Sequence, residues 1–293
     1  MKKKTIFSGT ATALITPFKH GKIDYSALGT IIEMQISSKI DALVIGGTTG
    51  EGAVLSDYER DKLFSFCAEK IDGRVPLILG TGSNDTKRAL KYTKRAESYG
   101  ADAALIVTPY YNKGTDEGLV LHYQKIANFT DLPIILYNVP SRTGVNLPIQ
   151  AIEKLSNEEN IYAIKEASDS TDRLTELSLL SDKITLYSGN DTQIYATLSI
   201  GGMGVISVLS NAVPREVLAV TNAFWRGDSD GALELQGKLL CRAKALFSET
   251  NPTPIKYVMH LMGYCTPDMR LPLYVPNEKN RRILEELFKV QKN

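Results

Sequence analysis

This 293-residue chain predicts an α/β fold: a (β/α)8 TIM barrel with a C-terminal helical appendage. Three observations carry that reading. Short, β-rich apolar runs alternate with longer helical stretches over the first 225 residues. Polar and glycine-rich residues gather after the same end of several runs. Beyond Arg226 no strand-like run appears, so residues 1–225 read as the barrel and 226–293 as a helical domain.

The runs fall at residues 10–15, 42–46, 75–80, 103–108, 133–138, 161–166, 184–188 and 204–208. Their apolar character on both faces suits parallel strands covered by helices, and parallel strands require crossovers of this length. Ser56-Asp57-Tyr58-Glu59 is a capping box, in which the serine hydroxyl satisfies an orphan amide and the glutamate reaches back. Its helix should run to about Lys70 and stop before Gly73. Residues 86–99, 115–129, 147–155, 171–180 and 215–225 show the same periodicity. In the appendage, 230–248, 254–262 and 277–291 read as helices, broken by Asn251-Pro252-Thr253-Pro254 and by Pro267, Pro272 and Pro276.

Composition narrows the function. Lys plus Arg is 34 and Asp plus Glu 33, a formal charge of +1, which lacks the cationic excess of a nucleic-acid-binding surface. The basic run at 2–4 is followed by no long apolar stretch, and no segment approaches the roughly 18–20 apolar residues of a membrane helix, so no export and a cytoplasmic location are expected. Cys67, Cys241 and Cys265 suit a reduced compartment, without a disulfide framework. His20, His122 and His260 make no metal-ligand spacing, so no metal is expected.

In such a barrel the chemistry sits where strands end. There lie Gly46-Gly47-Thr48-Thr49-Gly50-Glu51, Thr108-Pro109-Tyr110-Tyr111-Asn112, Tyr137-Asn138-Val139-Pro140-Ser141-Arg142-Thr143-Gly144, Lys165-Glu166 and Ser188-Gly189-Asn190-Asp191. Alternation places Lys165 on one face with Ala163 and Ile161. If that face is the interior, the amine is desolvated and becomes a nucleophile for a carbonyl; if not, it is a strand-end lysine reaching solvent. Thr48 and Thr49 could offer hydroxyls and amides to a carboxylate, or close a turn. Tyr110, Tyr111 and Tyr137 could relay protons or pack. Arg142 could grip a substrate carboxylate or make a salt bridge. The 46–51 loop lacks the lysine and spacing of a P-loop.

Together with Thr10-Ala11-Thr12-Ala13-Leu14-Ile15-Thr16-Pro17-Phe18, Gly204-Val205-Ile206-Ser207 and Glu249-Thr250-Asn251-Pro252-Thr253-Pro254, these motifs resemble, along the whole chain, the dihydrodipicolinate synthase (4-hydroxy-tetrahydrodipicolinate synthase) family of pyruvate-dependent class I aldolases. The resemblance implies a lyase that condenses pyruvate with aspartate semialdehyde on the diaminopimelate route to lysine. Lys165 would form the Schiff base and Tyr137 would relay protons with Thr49 and Tyr111, the latter supplied by a neighbouring subunit. Thr48 and Thr49 would hold the pyruvate carboxylate, Ile206 would line the pocket, and Arg142 would receive the carboxylate of the semialdehyde. It also implies a homotetramer of tight dimers and no cofactor.

N-acetylneuraminate lyases and keto-deoxy sugar-acid aldolases share the lysine, the tyrosine and the glycine-rich loop. Arg142 favours the synthase, because a semialdehyde amino acid presents a carboxylate and a polyol chain does not. A catalytically silent small-molecule sensor would be expected to break the lysine–tyrosine pair, and a class II aldolase would need a metal cluster. Many members are inhibited by lysine at a site that here reads Gly52, Ala53, Asp57, Arg60, Asn84, Arg88 and Tyr110. Arg88 stands where inhibitable members carry a glutamate, so weak or absent inhibition is expected.

Overall fold

The computed structural model describes residues 5–288. The basic run at 2–4 and the end of the helix expected at 277–291 lie outside the described residues. Eight barrel strands, β1 (Gly9–Ala13), β2 (Ala42–Ile45), β3 (Leu77–Gly80), β4 (Ala103–Val107), β5 (Ile134–Asn138), β6 (Ile161–Glu166), β7 (Thr185–Ser188) and β8 (Gly204–Ser207), coincide with the eight expected runs. Each pairs in parallel with its sequence neighbours, and β8 pairs with β1, which closes the barrel.

Strand alternation sorts the side chains into two apolar layers. Ala11, Ala13, Ala42, Val44, Ile78, Leu105, Ile135, Ala163 and Ile206 fill the interior. Leu43, Ile45, Leu79, Ile106, Leu136, Ile164 and Val205 face the surrounding helices. The interior set is rich in alanine, which leaves space inside a narrow barrel. Phe7 stacks on Tyr187 at 4.2 Å between ring centroids, and the Tyr187 hydroxyl donates to the Phe7 carbonyl at 2.7 Å, fixing the N-terminal segment against the interior cluster.

The helix Asp57–Ile71 carries the expected capping box, with Ser56 N donating to Glu59 at 3.0 Å and Glu59 N to the Ser56 hydroxyl at 3.3 Å. Three features escaped the pattern. The helix Tyr25–Ser37, N-capped by Asp24, contains Gly29, Thr30, Ile31 and Ile32, which blur its helical signature. Ile194–Ser199 is too short to show a period, and Phe18–Lys19 with Lys22–Ile23 forms a two-residue-per-strand hairpin. The C-terminal helices Ser229–Ala245, Thr253–Leu261 and Glu278–Leu287 place Leu239, Ile255, Met259 and Leu284 in the same buried cluster as the outer barrel layer. Each such side chain contributes about 1.5–3 kcal/mol of burial. Among the described residues no helix is long and apolar enough to cross a membrane.

His122, on the helix Asp116–Ala127, is buried with Nδ1 2.9 Å from the Thr86 hydroxyl and Nε2 unpartnered. Burial depresses its pKa to about 4, against a smaller opposing effect of Asp85. The native state therefore refuses a proton that the unfolded chain accepts between pH 6.5 and about 4. This contribution is complete above pH 6.5 and is lost as pH falls through that window. From pH 7 to pH 5 it removes about 2 kcal/mol. Urea unfolding of His122→Gln at fixed protein concentration should show that much less acid sensitivity than the parent; an unchanged pH slope would refute the assignment.

Candidate active site

Lys165 is the penultimate residue of β6, in register with Tyr137 of β5 and Tyr187 of β7. Its side chain points inward and is 5% exposed, with Nζ 4.3 Å from the centre of the Tyr137 ring. One detail of the face assignment is corrected. Ala163 shares the interior with Lys165, but Ile161 belongs to the outer layer. The register slips here: Ile134 pairs with Ile161 and Ile135 with Ala163, so Tyr162 is an extra residue. This β-bulge resets the parity of the strand just before the lysine.

The next residue, Glu166, points the other way. Its carboxylate accepts from Asn138 Nδ2 at 2.8 Å, Ser168 N at 2.9 Å and Arg173 Nε at 2.8 Å, and it is fully buried. The nearest acid in sequence is thus fully engaged outside the barrel. Asp191 is also buried and accepts from the Ser207 hydroxyl at 2.5 Å and from Val208 N and Leu209 N at 3.0 and 2.9 Å. Burial drives its carboxyl above the usual range, while these donors and the Lys165 charge pull it down.

The 46–51 loop is folded by backbone geometry and by the appendage. Gly46 has φ of +69°, and a Cβ there would stand 2.8 Å from the Phe64 ring. Glu51 ends the loop in the left-handed region at φ 52° and is buried. Lys256 Nζ meets its carboxylate at 2.6 Å with both side chains at zero exposure, and Arg270 N donates to the other oxygen at 3.1 Å. Lys256 Nζ also lies 4.3 Å from the Phe18 ring centre. Burial lowers the Lys256 pKa, and the Glu51 charge opposes that shift. Asn251, also from the appendage, donates through Nδ2 to the Thr49 hydroxyl at 3.0 Å, and its backbone carbonyl accepts from Arg142 at 2.8 Å.

Two cavities at this end of the barrel share part of their lining. One, of about 660 Å³, is lined by Lys165, Thr49, Tyr137, Arg142, Asp191 and Asn251. The other, of about 430 Å³, is lined by Thr48, Arg60, Arg88, Tyr110 and again Tyr137, Arg142 and Asn251. Thr48 and Thr49 therefore open toward different spaces. Ile206 lies in the barrel interior beside β1, paired with Ala11. Tyr111 is not brought to the lysine by its own chain: it is 90% exposed, at φ 69°. Asn251, Asp191 and Lys256 were not anticipated as site-forming. Asn251 and Asp191 stood in conspicuous polar motifs, whereas Lys256 sits in a helix and gave no signal. Among the described residues no group of three or more His, Cys, Asp or Glu side chains could hold a metal.

Residues 6–291 match the model of the dihydrodipicolinate synthetase family. The chain belongs to that family. It is 46% identical over 282 residues to the 4-hydroxy-tetrahydrodipicolinate synthase of Caldicellulosiruptor saccharolyticus, covering 96% of each chain. It is 44% identical over 287 residues to the enzyme of that name from Alkaliphilus oremlandii, covering 98% of this chain and 99% of the other. A crystal structure of the chloride-inhibited dihydrodipicolinate synthase of Acinetobacter baumannii, complexed with pyruvate, superimposes with a TM-score of 0.95 at 38% identity, over 97% of this chain and 98% of that one. The expected barrel and class I lyase assignment stand with these relatives.

Removing one member of a buried pair leaves the other charge stranded. Lys256→Met should lower the unfolding free energy by about 3–5 kcal/mol, and adding Glu51→Gln should recover part of it. Urea titration at fixed protein concentration measures both; a single-variant loss under about 1 kcal/mol would mean the pair does not hold the loop.

Proposed function

We propose that this chain is a 4-hydroxy-tetrahydrodipicolinate synthase in which Lys165 carries pyruvate as a covalent imine. The observation that carries this is the inward, buried Lys165 amine against the Tyr137 ring, in a cavity that also presents Thr49 and Arg142. The amine adds to the keto carbon of pyruvate, and loss of water gives a protonated imine. That cation withdraws electrons from the methyl group, so a proton leaves and the resulting enamine attacks the aldehyde of aspartate semialdehyde. The product's own amine then displaces Lys165 and closes the ring. The imine is its own electron sink, so the residues need only move protons and hold carboxylates.

Tyr137, its ring centre 4.3 Å from Lys165 Nζ, would carry protons between the lysine, the carbinolamine and water. Thr49 holds the keto-acid carboxylate with Thr48 at the adjoining wall, and Ile206 contributes an apolar boundary. Arg142, exposed at the mouth and held by the Asn251 carbonyl, receives the carboxylate of the second substrate. Tyr111, with its exposed ring, is read as serving the relay of a second copy in a homotetramer of tight dimers. Arg88, in the lining of the adjoining cavity, adds a like charge that disfavours lysine as an inhibitor.

Borohydride reduction in the presence of pyruvate should add the three-carbon unit to Lys165, located by mass spectrometry, and Lys165→Ala should abolish it. An adduct elsewhere, or none, would remove the mechanism. Turnover of aspartate semialdehyde but not of N-acetylneuraminate separates the synthase from the sugar-acid lyases. Mixing inactive Lys165→Ala chains with inactive Tyr111→Phe chains should restore activity; mixtures as inactive as their parents would place Tyr111 outside the relay.

A further inference from the structure

Thr49 and Arg142 come from different βα loops, yet both are held by one residue of the C-terminal appendage. Asn251 is 5% exposed and lines both cavities. Its side-chain Nδ2 donates to the Thr49 hydroxyl at 3.0 Å, while its backbone carbonyl accepts from Arg142 at 2.8 Å. A threonine hydroxyl has one proton and two lone pairs. With one lone pair taken by the Asn251 amide, the Thr49 proton cannot turn toward Asn251. Among the described residues none accepts that proton, so it is left for the cavity that holds Lys165.

We infer that Asn251 is a positioning residue that fixes the hydrogen-bond polarity of Thr49, so that Thr49 donates to the keto-acid carboxylate, while its backbone independently holds Arg142 for the second substrate. The inference rests on the covalent pyruvate mechanism above. Its physical content is a separation of roles within one residue: the side chain serves the first substrate and the main chain the second. The amide orientation matters, because the reverse orientation would make Thr49 spend its proton on Asn251. In the observed orientation the Asn251 Oδ1 atom is buried without a partner.

Side-chain replacement leaves the backbone carbonyl in place, so the two roles can be separated in the full-length enzyme. Asn251→Ala removes the donor; Asn251→Asp substitutes an acceptor that captures the Thr49 proton. Pyruvate dependence of borohydride trapping on Lys165, and KM for each substrate, are the readouts. The half-saturating pyruvate concentration should rise about 10-fold in Asn251→Ala and further in Asn251→Asp, with KM for the semialdehyde within about 3-fold of the parent. In a Thr49→Val background, Asn251→Ala should add less than about 3-fold, because the two residues act as one unit.

Independent, multiplicative losses in the double variant would overturn the proposal. So would an Asn251→Asp enzyme that binds pyruvate like the parent, since that places the carbonyl toward Thr49. A loss confined to the semialdehyde KM would also overturn it. If Asn251→Asp does not fold, the Asn251→Ala cycle decides alone. Trapping of pyruvate on Lys165 in the parent enzyme stands or falls separately, so failure here does not remove the proposed function.

Discussion

The direction of one side chain depends on a single extra residue in β6. Ile161 faces the helices, Tyr162 and Ala163 both belong to the interior side, and Ile164 returns to the outer layer. Without the bulge, strict alternation from Ile161 would turn Lys165 outward and Glu166 inward. The site would then hold a buried carboxylate where the amine now stands, and the amine would lie among the helices. The same parity also hands Glu166 to Asn138, Ser168 and Arg173 and keeps it from neutralising Lys165. A carboxylate partner would favour the ammonium form, which has no lone pair to add to a carbonyl.

The second requirement is a rigid 46–51 loop, and barrel sequence alone does not supply it. A non-glycine residue in the left-handed region is held against its own preference by at least about 1 kcal/mol. Glu51 remains there because its carboxylate is gripped by Lys256 and by the Arg270 amide, both from the appendage. Arg270 continues the clamp by pairing with Glu59, the same glutamate that caps the helix after the loop. Asn251 adds the contact to Thr49 from the same direction. The appendage therefore helps to build the end of the barrel that holds Lys165, although it follows all eight strands in sequence.

Much of this was legible in the chain. Short continuous apolar runs locate all eight strands, because a parallel strand is buried on both faces. The polar residues gathered after the strands put Lys165, Tyr137, Thr49 and Arg142 at one end of the barrel, and all four line one cavity. What stayed hidden was long-range or parity-breaking. The bulge at Tyr162 has no residue signature, since Ile-Tyr-Ala-Ile reads as ordinary alternation. Lys256 lies more than 200 positions from Glu51, and a lysine in an amphipathic helix reads as solvated until its partner is seen. The helix Tyr25–Ser37 was missed because β-branched residues and a glycine mask its period.

Tyr111 stands apart from the cavity of its own chain. Its backbone adopts a conformation that L-residues avoid, and its ring stands almost fully in water, an arrangement that returns nothing to an isolated molecule. Strain of this kind persists when the surroundings fix it for another purpose. Asn112 helps to hold the turn, its side chain donating to the Asn84 carbonyl at 3.1 Å. In the proposed reaction the relay beginning at Lys165 and Tyr137 still needs an exit to water, and a second copy presenting the same turn would supply one. Catalysis and assembly would then be one requirement, with each barrel holding its own amine and lending its phenol.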